Sequence, residues 1–303
     1  EPAMPPNPAA ADLAPLPDPA PGVLPARARH LLADPPGRGG ARIALTHLPG
    51  EGEPVLWLHP SRTPRRAFDH ALAASRLGRP VWAPEMRGHG DSDGPSGRHG
   101  LDAHVEDLAA VVRALGLERF AIIGQATGAT LGLLLAHRLG ARVSALALGD
   151  VAMGLRPSVV ARVEAEERAF AAEPPASAEA AMAATPFSER WSAPVRAHWL
   201  ATALAPAPGG GLRWRYDAEV VIATMRDMLE DRWETIRVEA PVLLFRGAEN
   251  TAIEATEIAR GLARLPRAET VELAGADHRL CQDAPEAFAA LVDDFLAREG
   301  APA

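Results

Sequence analysis

The chain of 303 residues carries a formal net charge of −8, which argues against nucleic-acid or anionic-membrane partners, because either would require a basic surface. Its 31 basic residues are all arginine, so a Schiff-base lysine and a phosphate-cradling P-loop lysine are both excluded. Cys281 is the single cysteine, which rules out an internal disulfide or a thiolate metal cluster.

Residues 1–36 are crowded with Pro and Ala, show no periodicity, and read as a disordered or polyproline-like arm without a secretion signal. From there, short apolar runs alternate with helical stretches. Strands are expected at Arg42–Leu48, Pro54–His59, Pro80–Pro84, Phe120–Gly124, Val143–Gly149, Pro241–Arg246 and Glu269–Leu273. Helices are expected at Arg65–Leu77, Leu101–Leu115, Thr127–Leu139, Glu254–Leu265 and Pro285–Arg298, the second of them capped by Asp102. Such alternation predicts an α/β fold with a mostly parallel central sheet and helices on both faces. Residues 152–236 break the pattern and read as an inserted helical lid, leaving 37–151 and 237–303 as the core. With no apolar run of about 20 residues to span a bilayer, the expectation is a cytoplasmic protein acting on a small molecule, with a homodimer left open.

The run Gly124-Gln125-Ala126-Thr127-Gly128 sits between a strand and a helix and matches the G-x-S-x-G nucleophile elbow everywhere except at the serine, where Ala126 stands. Leu58-His59-Pro60, Arg87-Gly88-His89-Gly90-Asp91-Ser92 and Gly275-Ala276-Asp277-His278 follow strands in the matching order. Together these motifs resemble the α/β-hydrolase superfamily over about residues 41–298. The resemblance implies a base at His278 and an oxyanion hole from the backbone N–H groups of Ser61 and Thr127. It places the orienting acid at Asn250, with Asp150 as an alternative at the end of the preceding strand.

The trio Ala126, His278 and Asn250 is similar to that of plant methylketone synthases, which decarboxylate β-keto acids on this fold. Without a hydroxyl at 126 no acyl-enzyme can form, whereas a histidine still moves protons near neutral pH. The expectation is therefore a cofactor-independent, metal-free decarboxylase, lyase or cyclase acting on an apolar or aromatic carbonyl or carboxylate. The alternatives are a serine ester or C–C hydrolase disabled by an engineered Ser-to-Ala change and a non-catalytic binding protein. His59, Gln125, Trp191, Trp199, Trp214 and Tyr216 are expected to contact substrate. With Asn250 as the acid, serine at 126 would face a poorly oriented base unless Asn250 also became aspartate.

Overall fold

The computed structural model describes residues 13–18, 20, 22–35, 41–94, 97, 99–253 and 255–299. In chain order the elements are β1 (Ala14–Pro15), β2 (Arg29–Ala33), β3 (Ile43–Leu48), β4 (Val55–Leu58), α1 (Asp69–Ala74), β5 (Val81–Pro84), α2 (Leu101–Ala114), β6 (Phe120–Gln125), α3 (Thr127–Leu139) and β7 (Val143–Gly149). There follow α4 (Pro157–Ala172), α5 (Ala178–Ala183), α6 (Ala193–Ala203), β8 (Leu204–Pro206), β9 (Leu212–Trp214) and α7 (Ala218–Asp227). The chain closes with β10 (Val242–Gly247), α8 (Ala255–Arg264), β11 (Ala268–Leu273), α9 (Leu280–Asp283) and α10 (Pro285–Glu299).

Nine strands form one sheet in the order β1-β2-β3-β5-β4-β6-β7-β10-β11. From β5 to β11 neighbours run parallel, and β1, β2 and β3 join antiparallel at one edge. Side chains alternate across each strand, so the central strands feed two cores. Leu56, Leu58, Phe120, Ile122, Val242 and Leu244 pack with α2, α3 and α8. Val55, Trp57, Ala121, Ile123, Leu243 and Phe245 pack with α1 and α10 on the other face. Burial on both sides is why these strands read as unbroken apolar runs rather than alternating ones.

The expected unstructured arm is corrected by this sheet. Arg29–Ala33 pairs with Ile43–His47, and Ala14–Pro15 pairs with Leu31–Leu32. These edge strands are specified by their partners, which local composition does not reveal; residues 1–12, 19, 21 and 36 lie outside the described residues. The helix expected from Arg65 is a 3₁₀ turn over Arg65–Phe68 followed by α1, which stops where Ser75 turns extended. Asp102 does not cap α2. The N-cap is Gly100, and the Leu101 N–H is met by Asp227 Oδ2 at 2.7 Å from the end of α7. Glu254, the expected start of α8, is outside the described residues.

Residues 152–236 carry α4 to α7 and a small hairpin of β8 and β9. No described helix is long and apolar enough to cross a membrane.

Candidate functional site

At the turn from β6 into α3, Ala126 adopts φ 48° and ψ −119°, a conformation costing roughly 1–3 kcal/mol for a residue with a side chain. The surrounding backbone holds it there. Ala126 N–H donates to Gly149 O at 2.8 Å, and its carbonyl accepts from the N–H groups of Ala129 and Thr130 at 2.9 and 3.0 Å. The flanking glycines are demanded by contact. A Cβ on Gly128 would stand 2.0 Å from Leu58 O, and one on Gly124 would stand 2.6 Å from Gly128 O. The frame of the elbow is intact, with a methyl group at its apex facing the cavity.

His278 lies in the loop between β11 and α9. Its Nδ1 donates to Asp150 Oδ2 at 2.9 Å, so Nε2 is left to exchange a proton with whatever occupies the cavity. Asp150 is fully buried at the end of β7. Burial pushes its carboxyl above the ordinary value, against the opposing pull of His278, Asn250 and the Gly247 N–H.

The expected order of the two acids is thereby reversed. Asn250 Oδ1 accepts from the N–H groups of Ala252 and Ile253 at 2.7 and 3.0 Å, which folds the loop after β10. Its side-chain amide also meets the Asp150 carboxylate and helps hold it ionised. Asn250 therefore stands behind the acid, and Asp150 orients the histidine. Glu249 pairs with Arg190 at the surface.

Ser61 and Thr127 both border the cavity. The Thr127 N–H belongs to the first turn of α3, where no intrahelical acceptor exists. Ser61 precedes Arg62, a residue in the left-handed region at φ 66°. The Arg62 N–H donates to His89 Nε2 at 3.2 Å, while His89 Nδ1 donates to Arg87 O at 3.0 Å. Burial lowers the His89 pKa to about 4, so the ring stays neutral as the acceptor that pins this loop.

Several expected substrate contacts fall elsewhere. His59 is fully buried: its Nε2 accepts from Met86 N–H at 2.8 Å and its Nδ1 donates to Pro60 O at 2.9 Å. Both ring nitrogens hold backbone, and the ring does not reach the cavity. Gln125 borders the cavity, yet its amide is engaged with His278 O at 3.0 Å and Cys281 N at 3.3 Å. It fixes the loop that carries His278. Of the lid aromatics, Trp191, Trp199, Trp214 and Tyr216, none lines the cavity at Ala126. Trp191 packs edge-on against Trp199 at 5.1 Å. Trp199, Trp214 and Tyr216 wall a smaller space behind the cavity. Composition announces an aromatic lid; which way each ring faces depends on how the lid helices pack.

The cavity of about 120 Å³ is instead lined by Leu155, Val159, Val163, Phe187, Met225 and Met228 from the lid. Phe187 meets His278 edge-on at 5.6 Å. The volume is near that of an engineered apolar cavity known to take benzene, and Arg62, Arg162 and Arg279 border it too. Sequence reasoning missed all three; for Arg62 and Arg279 the available signal was their place directly after Ser61 and His278. Among the described residues no group of three or more His, Cys, Asp or Glu side chains is arranged to hold a metal ion.

One lid contact is pH-sensitive. Trp191 Nε1–H donates to Asp283 Oδ1 at 3.0 Å, and Asp277 N–H donates to Asp283 Oδ2 at 2.8 Å. Burial raises the Asp283 pKa to about 6, so the bond to Trp191 is charge-assisted only above that pH. Tryptophan fluorescence is expected to shift with a midpoint near pH 6 and to lose that transition in Asp283→Asn. A wild-type emission flat between pH 5 and 7 would contradict the assignment.

Curated relatives bear on this geometry. Over 253 residues the chain is 25% identical to 2-(acetamidomethylene)succinate hydrolase of Mesorhizobium japonicum, covering 82% of this chain and 89% of that protein. It is 26% identical over 279 residues to N-formylmaleamate deformylase of Pseudomonas putida, covering 85% and 90%. Among solved structures, that of E-2-(acetamidomethylene)succinate hydrolase superposes with a TM-score of 0.76 at 21% identity, covering 88% of this chain and 98% of that one. The alpha/beta hydrolase fold family model matches residues 57–285, a span that contains the elbow, Asp150, the lid and His278. By that match and the shared architecture, the chain belongs to the α/β-hydrolase fold family.

Proposed function

We propose that this protein is a cofactor-independent enzyme that moves a proton on a small carbonyl or carboxylate compound without forming an acyl-enzyme. The observation that carries the reading is the His278–Asp150 hydrogen bond at 2.9 Å beside a methyl group where a nucleophile would stand. Asp150 holds the Nδ1–H tautomer and favours the imidazolium when Nε2 takes a proton. The N–H groups of Thr127 and Ser61 stabilise negative charge developing on a substrate oxygen.

With a β-keto acid as substrate, the bond between the α-carbon and the carboxyl carbon breaks and carbon dioxide leaves. The electron pair becomes an enolate held at the two N–H groups, and His278, protonated at Nε2 from solvent, delivers that proton to carbon. Retro-aldol cleavage, isomerisation and cyclisation need the same parts. The names of two relatives, a succinate hydrolase and a maleamate deformylase, support a small unsaturated acid as the substrate class.

The test is turnover of benzoylacetate and 3-oxoadipate, read as carbon dioxide release. His278→Ala is expected to lower the rate about 10²–10⁴-fold. No turnover of either acid by the wild-type protein, or turnover unchanged in His278→Ala, would refute the decarboxylase form. A second reading, a serine hydrolase whose serine has been exchanged for alanine, is favoured by the same intact His–Asp pair. Its relatives act as hydrolases by name.

A further inference from the structure

Among the described residues, Arg279 is a buried cation without a counter-ion. It follows His278 in the chain, is 7% exposed, and its Nε has no hydrogen-bond partner. Its guanidinium lies 5.6 Å from the Trp199 ring centroid. No carboxylate among the described residues forms an ion pair with it. Asp283, a carboxylate that acts on it electrostatically, is already held by Trp191 and the Asp277 N–H. Arg62, beside it, is matched by Glu166 at 2.8 Å and Glu167 at 2.6 Å. Tyr216 turns its hydroxyl to Glu167 at 3.2 Å.

Burial and the neighbouring Arg62 bring the Arg279 pKa down to about 10, so the group remains charged at neutral pH. An unpaired charge taken from water costs several kcal/mol, and a fold gains nothing from it unless something else completes the pair. Arg279 and Arg62 border both the cavity at Ala126 and the smaller aromatic-walled space behind it. The missing anion therefore has a place to sit, where the two spaces meet at Arg62 and Arg279.

We propose that Arg279 binds the carboxylate of the substrate, so that the protein takes a short oxo acid with its carbonyl at Ala126 and its carboxylate at Arg279. Apolar lid residues such as Val159 and Met225 cover the carbon chain between the two ends. A neutral ester or ketone of the same length leaves the cation unpaired and binds less well. The proposal rests on the cavity being the substrate site, and not on the reaction assigned to His278.

The experiment is calorimetric titration with levulinate, a stable oxo acid, and with its neutral methyl ester. A charge-assisted hydrogen bond is worth about 1.5–3 kcal/mol, so the wild-type protein should bind levulinate at least about tenfold more tightly than methyl levulinate. In Arg279→Gln the two affinities should converge, and Arg279→Lys should keep part of the preference. Removing an unpaired buried charge should not lower the melting temperature of Arg279→Met, which separates recognition from scaffolding. Equal binding of the two probes, no measurable levulinate binding, or a preference that survives in Arg279→Gln would overturn the proposal. So would a large stability loss in Arg279→Met with no change in preference. Failure of β-keto acid turnover would leave this result standing, and failure here would leave the proton-transfer assignment standing.

Discussion

Replacing Ala126 with serine is expected to create an esterase in a single step. The new hydroxyl would stand on an elbow already held at φ 48°, beside a histidine already oriented by buried Asp150 at 2.9 Å. Hydrolysis of p-nitrophenyl acetate should rise on the order of 10³-fold over the wild-type chain, well below the full cost of removing a serine from a working triad. Asp150→Asn in that background should remove most of the gain, since an Asp-to-Asn change costs about 10⁴ in rate in the triad of a serine protease of unrelated fold. Asn250→Asp should add little, because Asn250 meets the carboxylate and the loop backbone rather than the ring. This reverses the expectation drawn from residue order, which made Asn250→Asp indispensable. An Ala126→Ser variant that gains activity only when Asn250→Asp is added would show that Asp150 does not serve His278 in solution.

Acidification should unfold the protein above the usual carboxylate range. His59, His89 and His104 are buried, and burial lowers the pKa of each, to about 4 for His89. A histidine whose native pKa lies below its unfolded value of about 6.5 binds fewer protons in the native state. Its contribution is complete above about pH 6.5 and is lost as pH falls from there towards 4. For His89 that window corresponds to about 3 kcal/mol, a large share of the roughly 5–15 kcal/mol that holds a domain together. Asp283, raised to about 6, works in the opposite sense between pH 6 and 4 and offsets part of the loss. The urea midpoint should therefore be clearly lower at pH 5.0 than at 7.5, with a smaller difference in His89→Gln. Comparing the two pH values within each variant removes the variant's own change in stability. Equal midpoints for the wild-type protein at both values would show that these rings are not held neutral.

The central strands were legible because they are buried on both faces, so Val55–Leu58, Phe120–Gln125 and Val242–Gly247 stand out as apolar runs bounded by turns. The elbow was legible because Gly124 and Gly128 are imposed by backbone contact, which leaves a residue signature. Strands β1 and β2 were not, since an edge strand of mixed Pro, Arg and Ala acquires its structure from its neighbour. The acid was misplaced for a related reason. Counting residues past β10 leads to Asn250, whereas the partner of His278 is set by β7 and β10 lying side by side, which carries Asp150 under the ring. Arg279 escaped notice because an arginine is ordinary in a sequence and unusual only once it is seen buried without an acid.

The bend at Ala126 is held by main-chain hydrogen bonds to Gly149, Ala129 and Thr130 and by the close approach of Gly128 to Leu58. None of these depends on what the apex side chain is. Scaffold and reagent are thus separable: a codon change at one position exchanges a hydroxyl for a methyl group, and the neighbouring His278–Asp150 pair and the buried Arg279 are untouched by it. A lineage with such a turn can abandon one chemistry and sample another without passing through an unfolded ancestor.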